Sequence, residues 1–121
     1  MVIKMGYDIY ALDDKENEIA YLRAYMGAFR MCREQGYDWF KLIDAEDQDG
    51  EVSGRGGTKK IKLTNLQNAM KALLKHNTRG VLTEEGRDKW SHRKPLLQEF
   101  MQKCIDYCKN NNKKTIRILF C

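Results

Sequence analysis

Proline occurs once in this chain, at Pro95, and histidine only twice, at His76 and His92. A single proline excludes a proline-stiffened linker between domains. Two histidines without short ligand spacing, to each other or to a cysteine, do not supply a zinc site of the usual kind. No apolar run approaches the roughly 20 residues that cross a bilayer, and the opening lacks a basic stretch followed by a long apolar run and a small-residue cleavage site. These absences lead to the expectation of a cytoplasmic protein without membrane contact. Internal repeats and low-complexity tracts are missing too, which excludes solenoids and disordered arrays. Cysteines are few: Cys32, Cys104, Cys108 and Cys121. In an intracellular chain of this size they are expected as free buried thiols, not disulfides.

Charge is plentiful. Lysine and arginine total 22 against 17 aspartates and glutamates, a net +5, and charged residues are 32% of the chain beside 42% hydrophobic ones. That apolar share fills one modest core, so residues 1–121 read as a single domain; halves would each be undersized. The positive surplus favours acidic partners, since a basic patch is the footprint of phosphate binding.

Two alternating segments bracket the chain, Met1 to Tyr10 and Lys114 to Cys121. Ile3, Met5, Tyr7 and Ile9 share one face of a strand, as do Ile116, Ile118 and Phe120, which places both ends in one sheet. Between them, Asp13 or Asp14 caps a first helix with Ile19, Leu22, Met26 and Phe29 on its apolar side and Gly36 as its stop. Tyr37 to Ile43 fits a strand or a buried connector, the strand being preferred and paired with Ile61 and Leu63. Residues 44–60, with Gly50, Gly54, Gly56 and Gly57, read as an exposed mobile loop. A second helix starts at Thr64 or Asn65 and runs to Lys75, burying Leu66, Met70, Leu73 and Leu74. A third starts with Pro95 in its first turn and carries Leu96, Leu97, Phe100, Met101, Cys104, Ile105 and Cys108 up to the run Asn110 to Asn112. The expected fold is α+β, a small sheet including both chain termini packed against three helices. Its exposed edge, or leftover apolar helix surface, offers a route to a homodimer.

Chemistry-bearing patterns are sparse. The acidic run from Asp44 to Glu51 fails the calcium-loop register: with Gly50 sixth, the first ligand position is Ala45 and the closing one Gly56. Gly54-Arg-Gly-Gly-Thr-Lys-Lys60 is not a nucleotide-hydrolase loop, because Thr58 precedes the lysines. Its glycine amides with Arg55, Lys59 and Lys60 still suit an anion or a nucleic acid backbone, beside the plainer reading of an ordinary hairpin loop. On the first helix Arg23 and Arg30 stand two turns apart with Gly27 between and Arg33 close, a bare backbone patch flanked by guanidiniums, or simply a close-packing glycine. Trp90, His92 and Arg93 combine an aromatic with cationic groups and suit a stacked nucleotide, unless Trp90 only anchors the connector from His76 to Ser91, a loop with a short helical turn, to the core. Cys104 and Cys108 fall inside the apolar stripe and read as core. No nucleophile has a positioned base, so no catalytic residue, metal or cofactor is assigned.

Met5-Gly-Tyr-Asp-Ile-Tyr10, Tyr21-Leu-Arg-Ala-Tyr25, Asn68-Ala-Met-Lys-Ala-Leu73 and the ending built on Phe100, Cys104, Tyr107 and Cys108 resemble, in order, a group of small phage and prophage proteins. Those open Met-Gly-Phe-Asp, continue through Tyr-Phe-Arg into a Trp-rich helix and finish with an aromatic helix and a short strand. This chain differs in its four extra leading residues, in Met26-Gly-Ala-Phe29 where the group is Trp-rich, and in its Lys-rich last strand. The resemblance implies a viral accessory protein in the host cytoplasm. The expected function is then non-enzymatic: binding and inhibiting a host factor, such as an antiviral defence component, through the basic first helix and the Gly54 to Lys60 loop. The alternative is a nucleic-acid or signalling-nucleotide binder using the same arginines and Trp90.

Overall fold

Strands from opposite ends of the chain lie side by side in the centre of a four-stranded antiparallel sheet. They are β1 (Tyr7–Leu12) and β4 (Thr115–Phe120); β2 (Glu18–Ala24) and β3 (Gly57–Lys62) form the edges, in the order β2-β1-β4-β3. The computed structural model describes residues 7–24, 37, 39–45, 57–75 and 84–120, with backbone alone for 7, 24, 40, 57 and 84–93. The fold is α+β. Alternation decides which side chains go inward: Ile9, Ala11, Ala20, Leu22, Ile61, Ile116, Ile118 and Phe120 are all buried. Ile3, Met5 and Cys121 lie outside the described residues.

Over its described residues, the expected first helix is instead a turn and strand β2. Ile19 and Leu22 do have helical spacing, but Ala20 and Leu22 occupy the core face at period two, and Ile, Tyr and Leu pack well on a pleated surface. Asp13 does not cap a helix. Its carboxylate accepts the backbone N–H groups of Lys15 and Asn17, each at 2.8 Å, which folds the chain back into the β1–β2 turn. Glu16 in that turn has φ 65°, the left-handed conformation. Met26, Phe29 and Gly36 lie outside the described residues.

The hydrogen bond from the Asn17 N–H is the largest cause holding the Asp13 carboxyl below its ordinary value of about 3.9. A depressed carboxylate stabilises the fold above the unfolded-state value, and this contribution disappears as pH falls through the folded one. Asp13→Ala should therefore melt below the parent at pH 7, and thermal melts should show the gap closing below about pH 4.

Tyr37 to Ile43 is not a strand. Trp39–Leu42 forms a single helical turn, α1, closed by N–H groups of Ile43 and Asp44 on the carbonyls of Trp39 (3.0 Å) and Lys41 (3.1 Å). Asp44 leaves it at φ 60°. The segment is a plug. Trp39 is buried edge-on against Phe100, ring centroids 6.2 Å apart, and donates Nε1–H to the Met101 sulfur at 3.2 Å. Tyr37 donates its buried hydroxyl to the Ala69 carbonyl at 3.0 Å. Aromatic rings with polar tips fill an irregular gap between helices better than they would a strand face.

β3 consequently pairs with β4, not with the Trp39 segment, and Leu63 starts helix α2 (Leu63–Lys75). Thr64 and Asn65 sit inside its first turn. Leu66, Ala69, Met70 and Leu73 are buried, while Leu74, expected beside them, is 59% exposed. Of the expected 44–60 loop, residues 57–60 are strand, Asp44 and Ala45 follow α1, and 46–56 lie outside the described residues.

Helix α3 spans Glu84–Asn110, so Pro95 is interior and not in the first turn. An interior proline removes the N–H that residue 91 would accept and costs about 3 kcal/mol. Downstream burial of Leu97, Phe100, Met101, Cys104, Ile105 and Cys108 offsets that cost. Leu96 turns outward, 44% exposed. The asparagine run does end the helix: Asn112 has φ 53° and the Lys113 N–H reaches the Cys108 carbonyl at 2.8 Å.

Candidate functional site

Residues directly opposite one another in the sheet share a face, so the pairing register defines a second, outer face. One row across it is Tyr21, Tyr10, Leu119 and Thr58; the next is Glu18, Leu12, Arg117 and Lys60. Glu18 reaches that row because a bulge between Ala11 and Leu12 shifts the register. Arg23 stands opposite Asp8 at one corner and Lys62 opposite Thr115 at the other. Tyr21, Arg23, Thr58, Lys60 and Lys62 are exposed, and Tyr10, Leu12, Arg117 and Leu119 half-buried.

The tyrosines form a unit. Their ring centroids are 5.0 Å apart with planes at 38°. Tyr21 donates its hydroxyl to Asp8 Oδ1 at 2.6 Å, and that carboxylate raises the phenol above its usual pKa. The Tyr21 ring is thus tied in place at the surface, against the half-buried ring of Tyr10.

Cations outnumber carboxylates on this face four to two, with Arg23, Lys60, Lys62 and Arg117 against Asp8 and Glu18. Glu16 in the β1–β2 turn takes one hydrogen bond from Arg117 Nη2, at 3.3 Å, and Asp14 pairs with Lys113. The acidic groups gather at the turn and on the β1–β2 half. Positive charge is densest over β3 and β4.

Of the residues singled out in the sequence, Arg23 and Lys60 share this face from opposite edge strands, three inter-strand gaps across and four residues along, about 20 Å apart. Arg23 is a strand residue, which removes the helical Arg23 to Arg30 patch. Lys59 lies opposite Ile118, on the inner face and half-buried, so the two adjacent lysines point to different sides. Trp90, His92 and Arg93 are in helix α3 and not in a connector before it, and their side chains lie outside the described set. Gly27, Arg30, Arg33 and Arg55 lie outside the described residues. Tyr10, Tyr21, Lys62 and Arg117 went unselected in the sequence. Period-two spacing was the available signal: Tyr21 and Arg23 on one strand, Lys60 and Lys62 on another, Arg117 between two buried isoleucines.

A second feature borders the β2 edge. A cleft of about 230 Å³ lies between β2 and α3, with Tyr21, Arg23, Leu96, Phe100 and Lys103 in its walls. Lys103 pairs with Glu99 at 3.2 Å. Cys104 and Cys108 are free, buried thiols, and burial pushes the Cys104 thiol up to about 12. Among the described residues no cluster of three or more histidine, cysteine or acidic side chains could hold a metal, and no helix is long and apolar enough to cross a membrane.

Comparison of the chain with protein families, curated proteins and solved structures returns no match. The functional reading therefore rests on the surface itself.

Proposed function

We propose that the protein binds nucleic acid on the outer face of its sheet. The observation behind this is that Arg23, Lys60, Lys62 and Arg117, from three strands, share one sheet face with a tyrosine pair of which Tyr21 is exposed and Tyr10 half-buried. Lysines on an edge strand also discourage sheet-to-sheet pairing, but that role explains neither Arg117 on a central strand nor the aromatic row beside it. No catalytic step is part of this reading.

Salt tests it. Each phosphate neutralised on a single strand contributes about −0.7 to the slope of log K against log salt. Fluorescence anisotropy with a labelled oligonucleotide should give a slope of about −2 to −3, falling by about 1.4 in the Lys60→Ala/Lys62→Ala double variant. A slope near zero, or no binding at low salt, would remove the proposal.

Inhibition of a host protein by a phage-type accessory factor is the second reading. Its support is the cleft beside β2, since Tyr21 and Leu96 are two of the three exposed large hydrophobic residues among those described. A photo-crosslinker at Leu96 should then join one host protein, and Leu96→Arg should abolish that capture; finding no adduct would exclude this reading.

A further inference from the structure

Resting on the nucleic-acid reading, we infer that the ligand is a single strand, RNA or DNA, with unpaired bases stacked on Tyr10 and Tyr21. Its phosphates run over Arg117, Lys60 and Lys62. Three observations lead there. The first is shape. Four strands at about 4.8 Å spacing make a surface some 14 Å across before side chains are added, wider than the roughly 12 Å major groove that admits a helix or a two-stranded ribbon. This face is too wide to enter the major groove of an undistorted duplex and reach base edges. An open strand can lie across it.

The second is the aromatic pair. Every base has a π-face, so exposed rings on a sheet bind single strands with little regard to sequence, and a duplex has no unstacked base to offer them. The 2.6 Å hydrogen bond from Tyr21 to Asp8, with the Tyr10 ring 5.0 Å away, fixes the platform before a ligand arrives. Fixed rings lose less conformational freedom on binding, which favours affinity. Leu119 lies next to Tyr10 in the same row and extends the apolar floor toward Thr58.

The third is the distribution of charge. Asp8 and Glu18 lie on the β2–β1 half, where Arg23 is the one cation and the net charge is negative, whereas Lys60, Lys62 and Arg117 lie on the β3–β4 half with no carboxylate among them. Bases and backbone are thereby assigned to different halves: rings toward β1 and β2, phosphates toward β3 and β4. A non-directional basic patch would show no such division.

The test measures anisotropy at fixed low salt for oligomers of about ten nucleotides, a length within single-domain site sizes, as single-stranded RNA, single-stranded DNA and the matching duplex. Single strands should bind at least tenfold tighter than the duplex. Tyr10→Ala and Tyr21→Ala should each weaken single-strand binding about 5- to 100-fold, whereas Tyr10→Phe and Tyr21→Phe, which keep the ring, should stay within about threefold of the parent. The Phe variants also serve as the folded comparison if an Ala variant melts early. RNA tighter than DNA would point to contacts with the 2′-hydroxyl, and equal affinity to stacking and phosphate alone; both outcomes support the inference. Equal affinity for duplex, or Ala variants that bind like the parent while Lys60→Ala/Lys62→Ala does not, would overturn the stacking platform and leave phosphate binding standing. Failure of every oligomer to bind would overturn the parent reading with it.

Discussion

Trp39→Ala should destabilise the fold by about 3–5 kcal/mol, the usual cost of truncating a fully buried Trp or Phe. A chain of this length has a total stability of about 6–18 kcal/mol, so the variant could lose half of it. The size of the effect follows from what the indole touches. Trp39 is 1% exposed and meets Phe100 of α3 edge-on, while its Nε1–H is satisfied by the Met101 sulfur. Two residues earlier, Tyr37 ties the same segment to α2 through the Ala69 carbonyl. One helical turn is too short to hold itself together. Its order comes from these contacts, so removing the ring opens a cavity between α1 and α3 that α1 has little rigidity to resist. Trp39→Phe would keep most of the volume and lose the N–H to sulfur contact, and should cost clearly less. Urea unfolding followed by circular dichroism gives both numbers. A cost below about 1 kcal/mol for the alanine variant would mean that residues 37–45 are a cover on the core and not part of it.

The plug and the platform were unequally visible in the sequence. The alternation in Thr115 to Phe120 gave the inward face of β4 directly, and the terminal asparagines gave the end of α3, because both depend on neighbouring residues alone. The β2 segment reads as helix as easily as strand because Ile19 and Leu22 fit a period of three as well as Ala20 and Leu22 fit a period of two, and Asp13 serves a turn by the same hydrogen bonds that cap a helix. The pairing partner of β1 broke the tie, and partners are non-local. Pro95 misled in the opposite direction: local rules place it at a helix start, while tertiary burial along α3 carried the helix through it. The outer face suffered most from the β2 error. Tyr10 and Tyr21 are far apart in a strand-then-helix reading and in ring contact once both are strands. Lys60 stands out in the sequence for its basic neighbours, yet what places it beside Arg117 is the β3–β4 register, which only the folded chain displays.

Thiol chemistry gives the other large expected effect. In a Cys32→Ser/Cys121→Ser background, native protein at pH 8 should leave Cys104 and Cys108 unlabelled by a disulfide reagent, and both should react at once in denaturant. Reactivity follows the thiolate, and burial raises Cys104 to about 12 with a smaller contribution from the neighbouring Cys108 sulfur. At pH 8 that leaves on the order of a thousandfold less thiolate than an ordinary cysteine near 8.5 carries. Exclusion of the reagent from a core position with no exposed surface adds to this. Cys108 is shifted in the same direction by burial. Labelling must then wait for opening of α3, and its rate should rise with destabilisation: Trp39→Ala, which removes the ring packed against Phe100 one turn before Cys104, should speed it about tenfold per 1.4 kcal/mol of lost stability if opening is global. Acceleration far smaller than the measured stability loss would show that the C-terminal half of α3 opens locally, independent of the plug. Fast labelling of the native double variant would instead place the thiols at the surface and contradict the inward stripe of α3 from Leu97 to Cys108.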